Sequence, residues 1–105
     1  MYAIMRRIKI QPQFMEEAVQ KTEQFFVQPL RKEPGFLEFY SVQVGESEFV
    51  SISLFETKEE AGEGNRRALE WAREQLFPLA EAPAEMVGAG SILLHQKKEA
   101  EEEKG

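Results

Sequence analysis

The stretch FLEFYSVQVGESEFVSISLF, residues 36–55, decides the fold. Phe36, Glu38, Tyr40, Val42 and Val44 alternate with Leu37, Phe39, Ser41 and Gln43. Gly45-Glu46-Ser47 supplies a turn. On the return, Val50, Ile52 and Leu54 alternate with Phe49, Ser51, Ser53 and Phe55. Period-two alternation rich in β-branched and aromatic residues, broken by a glycine turn, predicts an antiparallel hairpin. Both faces of that hairpin carry apolar side chains, so each face needs a cover.

Helical stretches flank the hairpin. Upstream, Gln13 to about Lys32 places Phe14, Ala18, Thr22 and Phe25 on one side, widened by Met15, Val19 and Phe26. That spacing suits a helix packed on a sheet. Pro29 is expected to end or kink this segment near Gln28, because proline lacks the N–H a helix interior needs. Pro34-Gly35 is a stop and turn. Downstream, Thr57-Lys58-Glu59-Glu60 reads as a capping box opening a helix over Lys58 to Phe77. At 100° per residue, Ala61, Asn65, Ala68, Ala72 and Leu76 share a stripe, with Leu69 and Trp71 on its flanks.

The outer segments are strands. Tyr2, Ile4, Ile8 and Ile10 share one face of the first, with Arg6 among them, while Ala3, Met5, Arg7 and Lys9 point the other way. The last strand is expected over Glu85 to His95. The order is β-α-β-β-α-β, an α+β ferredoxin-like plan with a four-stranded antiparallel sheet and two helices on one face. Residues 1–96 are read as this domain, and 97–105 as a charged tail expected to be disordered.

Composition narrows the chemistry. The chain has 105 residues, enough for one core, and a formal net charge of −6. No basic stripe stands out, so nucleic acid is not an expected partner. No apolar run approaches the ~20 residues of a membrane span. The first residues read directly as a strand, and a cytoplasmic location is expected. With no cysteine, thiolate metal sites and cysteine nucleophiles are excluded. The single histidine, His95, lacks partners for a metal site or a triad, so neither a metal nor a cofactor is expected.

Both crossover helices should lie on one sheet face. The other face would then leave side chains such as Phe or Val in water. Exposing about six of them forgoes roughly 9–18 kcal/mol of burial. A second copy of the chain, joined sheet to sheet about a two-fold axis, is the simplest cover.

Three segments carry a family resemblance: Pro34-Gly35-Phe36, the strand Val50-Ser51-Ile52-Ser53-Leu54-Phe55-Glu56, and Asn65-Arg66-Arg67-Ala68-Leu69-Glu70-Trp71. With them the chain, from about Tyr2 to His95, resembles the antibiotic biosynthesis monooxygenase (ABM) family of the dimeric α+β barrel superfamily. The resemblance implies a homodimer and a cofactor-independent monooxygenase acting on a small aromatic or polyketide-like substrate. It implies Asn65 and Trp71 as the catalytic pair, near the cavity between sheet and helices. Tyr40, Phe25 and Arg7 are the further candidates for the substrate pocket. The haem-degrading branch of the family pairs an Asn on the first strand with a Trp and a His around the second helix. Here that strand reads Met5-Arg6-Arg7, so haem degradation is not expected.

Each candidate also has a plain structural reading. Asn65 inside an apolar stripe needs a hydrogen bond, which a nearby loop or strand would supply as well as a substrate. Trp71 suits a pocket wall. Tyr40 suits strand packing. Arg6 and Arg7, on opposite faces of one strand, suit ion pairs with glutamates. The competing function is therefore a non-catalytic homodimeric module that binds a small apolar ligand or is purely structural.

Overall fold

A computed structural model describes residues 1–75, 77–81 and 84–98. Leu76 and Pro83, and the tail from Glu99 onward, lie outside the described residues. Four strands, β1 (Tyr2–Lys9), β2 (Phe36–Gln43), β3 (Glu48–Phe55) and β4 (Glu85–Ser91), form one sheet in the order β2-β3-β1-β4. All neighbours are antiparallel. The helical segments are α1 (Met15–Thr22), α2 (Gln28–Leu30) and α3 (Lys58–Ala72). They pack on one face of the sheet, around Ile4, Ile8, Phe49 and Phe55. Among the described residues, no helix is long and apolar enough to cross a membrane.

The first helical stretch does not end at Pro29. Between α1 and α2 the backbone widens into a π-helical segment, Glu23–Val27, in which Gln28 N–H bonds to the carbonyl of Glu23. A proline in α-helical register would drive its ring against the carbonyl four residues back, that of Phe25. The wide turn relieves this clash and leaves Pro29 in the first turn of α2, where no N–H is required. The buried stripe is Met15, Ala18, Thr22, Phe26 and Leu30, while Phe14 is exposed and Phe25 sits at the margin. Ala18 and Thr22 of the predicted stripe are thus buried, while its ends shift by one residue, from Phe14 to Met15 and from Phe25 to Phe26.

Two β-bulges also break the predicted alternation. In β2, Phe36 lies opposite Phe55 and Glu38 opposite Leu54, so Leu37 is the extra residue. The bulge turns Phe36 onto the helix face, where its ring meets Phe55 edge-on at 5.7 Å. In β4 the register shifts between Gly88, opposite Met5, and Met86, opposite Arg6. That strand ends at Ser91, so His95 lies beyond the sheet and is exposed.

Helix α3 starts as its sequence predicts. Thr57 Oγ1 accepts from Glu60 N–H at 3.1 Å and donates to the Glu60 carboxylate at 3.1 Å. Its inward residues are Ala61, Gly64, Asn65, Ala68 and Ala72. The small side chains let it lie close to the sheet, and Gly64 marks the closest approach. A Cβ there would stand 2.7 Å from the Phe55 ring, whereas one on Gly62 would meet nothing within 4 Å. The same substitution should therefore have opposite signs two residues apart. Gly62→Ala is expected to stabilise by about 0.5–1 kcal/mol through helix propensity. At Gly64→Ala, overpacking of about 1–3 kcal/mol outweighs that gain. Urea denaturation of the two variants checks it.

Candidate functional site

Three separate environments hold the residues singled out from the sequence. Asn65 faces the sheet from the middle of α3 and is buried. Its Nδ2 donates to the carbonyl of Ala61, one turn back, at 3.1 Å. Its Oδ1 is closed off from solvent and has no hydrogen-bond partner among the described residues. An unpartnered buried amide oxygen costs about 1–3 kcal/mol. One half of the amide is thus tied to its own helix, and the other half lacks a donor.

Trp71 does not share that space. Six residues along an α-helix turn the side chain by about 240°, so Trp71 leaves the inward stripe that holds Asn65. It is 69% exposed. With Phe25 from the π-helical segment and Pro29 of α2, it lines a hollow of about 450 Å³ between the helices, bordered by Gln24, Gln28, Lys32 and Glu33. The widening at Pro29 is what leaves Phe25 at the margin of the core, beside Trp71.

Tyr40 and Arg7 lie on the face turned away from the helices. Tyr40 sits opposite Ile52, and Arg7 opposite Val50. The Tyr40 hydroxyl donates to Glu38 at 2.9 Å, and that hydrogen bond, with the carboxylate's charge, holds the phenol's pKa above its ordinary value. Arg7 Nε lies 2.5 Å from the Glu48 carboxylate, and Nη1 lies 3.6 Å from Glu85. This arginine takes the ion-pair reading. The structure therefore places Asn65 between helix and sheet, Phe25 with Trp71 between helices, and Tyr40 with Arg7 on the open sheet face.

Arg6 does not take the ion-pair reading among the described residues. It points to the helix side of β1, between the buried Ile4 and Ile8, and lies opposite Ser51 of β3 and Met86 of β4. It is half-buried, and its Nε is sealed from solvent without a partner. Burial lowers its pKa. The sequence signal was present: the alternation of β1 sets Arg6 inward and Arg7 outward. On α3, Arg66 is paired with Glu63 and Glu70, and Arg67 with Glu33 at 2.8 Å. Among the described residues no group of three or more His, Cys, Asp or Glu side chains is placed to hold a metal ion.

The sequence profile of the antibiotic biosynthesis monooxygenase family matches residues 1–68. The chain belongs to the ABM family. Solved structures agree with the fold. One is a protein assigned as an antibiotic biosynthesis monooxygenase from Nitrosomonas europaea, at 21% identity and a TM-score of 0.71, covering 88% of this chain and 90% of its own. Another, from Bordetella bronchiseptica and assigned likewise, has a TM-score of 0.75 at 11% identity, with coverages of 89% and 97%. SnoaB from Streptomyces nogalater, a cofactor-independent oxygenase, has a TM-score of 0.63 at 18% identity, with coverages of 92% and 97%. No curated protein matches the sequence. At these identities the likeness establishes the fold of an ABM domain, and residue roles rest on the geometry above.

Proposed function

We propose that this ABM-family chain is a cofactor-independent monooxygenase for a small, electron-rich aromatic substrate. The observation that carries the reading is the Asn65 amide: a buried polar group facing the sheet, with an oxygen that no described residue satisfies. A substrate hydroxyl, or a hydroperoxide formed on the ring, would supply the missing donor. In such chemistry the substrate is its own reductant. An activated ring CH2 loses a proton, the carbanion gives electrons to O2, and a hydroperoxide forms. Loss of water from it leaves a carbonyl, so CH2 and O2 become C=O and H2O. The protein's contribution is an apolar enclosure and oriented polar groups.

The working unit in this reading is a homodimer joined through the open sheet face. In the single chain Tyr40, Val42 and Val44 are about half exposed there, and Met5, Val50 and Ile52 are only partly covered. A cytoplasmic setting fits this reading.

Oxygen uptake with a panel of quinols and anthrones tests the proposal. At least one substrate is expected to consume oxygen above the uncatalysed rate, and Asn65→Ala is expected to lower kcat by about tenfold or more, the loss when a transition state forfeits one hydrogen bond. A panel that shows no uptake above background removes the reading. The alternative, a non-catalytic homodimeric module, is favoured by one observation. The Asn65 Nδ2 is already engaged with Ala61, as a purely structural amide would be. In that case Asn65→Ala would alter stability alone.

A further inference from the structure

Arg6 and Arg7 each have an Nε that is closed off without a hydrogen bond, but Arg7 is ion-paired with Glu48 and Glu85, whereas Arg6 has no ion pair among the described residues. The chain carries 19 acidic side chains, yet none among the described residues pairs with this guanidinium. Its Nε is closed off with no partner among the described residues, while the residue as a whole is only half-buried. The strand register sets Ser51, and beyond it Ser41, beside it on the same face, so its cross-strand neighbours on β3 and β2 are small hydroxyl residues. A half-buried guanidinium is costly unless its donors are used. Replacing it with an apolar side chain would fit the flanking Ile4 and Ile8 better. Retaining a fork of N–H donors there makes chemical sense if an oxyanion from outside the chain completes it.

We infer that Arg6 is the anion anchor of the helix–sheet site, and that its ligand is a small aromatic molecule bearing an oxyanion, either a carboxylate or an ionised phenol or enol. The inference rests on the monooxygenase reading and narrows its substrate class. An opposite charge within a few ångströms favours the ionised form of a phenol or enol. Arg6 would thus hold the substrate in the electron-rich state that oxygen chemistry requires. It is a positioning residue on this view, with the reacting carbon elsewhere on the ring. Arg7, one residue on, has no such role because Glu48 and Glu85 already neutralise it on the opposite face.

The test uses the full chain and three probes of matched shape: 2-naphthoate, 2-naphthol and the neutral 2-naphthamide. Isothermal titration is expected to show 2-naphthoate or 2-naphthol binding about tenfold or more tightly than 2-naphthamide. Carboxylate recognition shows as a preference for 2-naphthoate. Phenol recognition shows as 2-naphthol bound with the long-wavelength absorption of its anion at neutral pH. The preference should vanish in Arg6→Met, persist in part in Arg6→Lys, and be unchanged in Arg73→Met, an exposed arginine near the end of α3. Thermal unfolding supplies the readout that a structural role would not give. Arg6→Met should melt at or above the wild-type temperature, since it removes an unpaired charge. A lower melting temperature, equal binding of the charged and neutral probes, or no binding of any probe overturns the anchor. Oxygen uptake unaffected by Arg6→Met would also overturn it while leaving the oxygenase reading intact. Anion binding through Arg6 with no oxygen uptake upholds the anchor and defeats that reading.

Discussion

Phe55→Ala is expected to cost about 3–5 kcal/mol of folding stability, the range for deleting a large ring from a closed core. Phe55 is the last residue of β3, fully buried, and opposite both Tyr2 and Phe36. Its ring packs edge-on against Phe36 at an interplanar angle of 75°. From above, α3 presents Gly64, which has no side chain to move into the space. The cavity left by truncation therefore stays open, and the loss belongs at the upper part of the range. For a domain with a net stability of about 5–15 kcal/mol, that is a large share. Equilibrium urea unfolding measures it, with Phe55→Leu as a milder companion. A loss below about 1 kcal/mol would mean that the helix does not close over this ring.

The second large effect concerns assembly. Ile52→Asp is expected to turn the proposed dimer into a folded monomer at micromolar concentration. Ile52 lies at the centre of the open sheet face, between Met5 of β1 and Tyr40 of β2. It is not part of the helix–sheet core, so the fold should survive. In a sheet-to-sheet dimer with a two-fold axis the substitution enters twice. Each copy loses roughly 1.5–3 kcal/mol of apolar burial and adds a carboxylate that is costly to desolvate. Analytical ultracentrifugation decides the matter, with Ile52→Val as the variant that should remain dimeric. A wild-type monomer, or an Ile52→Asp dimer, would show that the open face has another cover.

Local patterns made most of the architecture legible. The hairpin over residues 36–55 and the Thr57 cap follow from short-range chemistry, and both stand in the structure. The misreadings arose where the backbone adds a residue. The bulge in β2 leaves no signature in the alternation, so the alternation groups Phe36 with Tyr40 although the two lie on opposite faces. Pro29 marks a disturbance of the helix in the sequence itself. The π-helical turn that absorbs it depends on the helix being held against the sheet by Phe26 and Leu30 on both sides. The candidate site was less legible still. Asn65 and Trp71 are close in sequence, yet helix geometry turns one inward and the other out to Phe25.

The sequence by itself determined the element order, the inward stripe of α3, and the opposite facing of Arg6 and Arg7, because periods of two and 3.6 residues are local properties of the backbone. Only the tertiary structure decided which of those two arginines is neutralised. Glu48 and Glu85 reach Arg7 through strand pairing across the sheet, and no acidic residue comes by the same route to Arg6. Pairing of this kind joins residues some 40 and 80 positions apart, a separation at which periodicity carries no information.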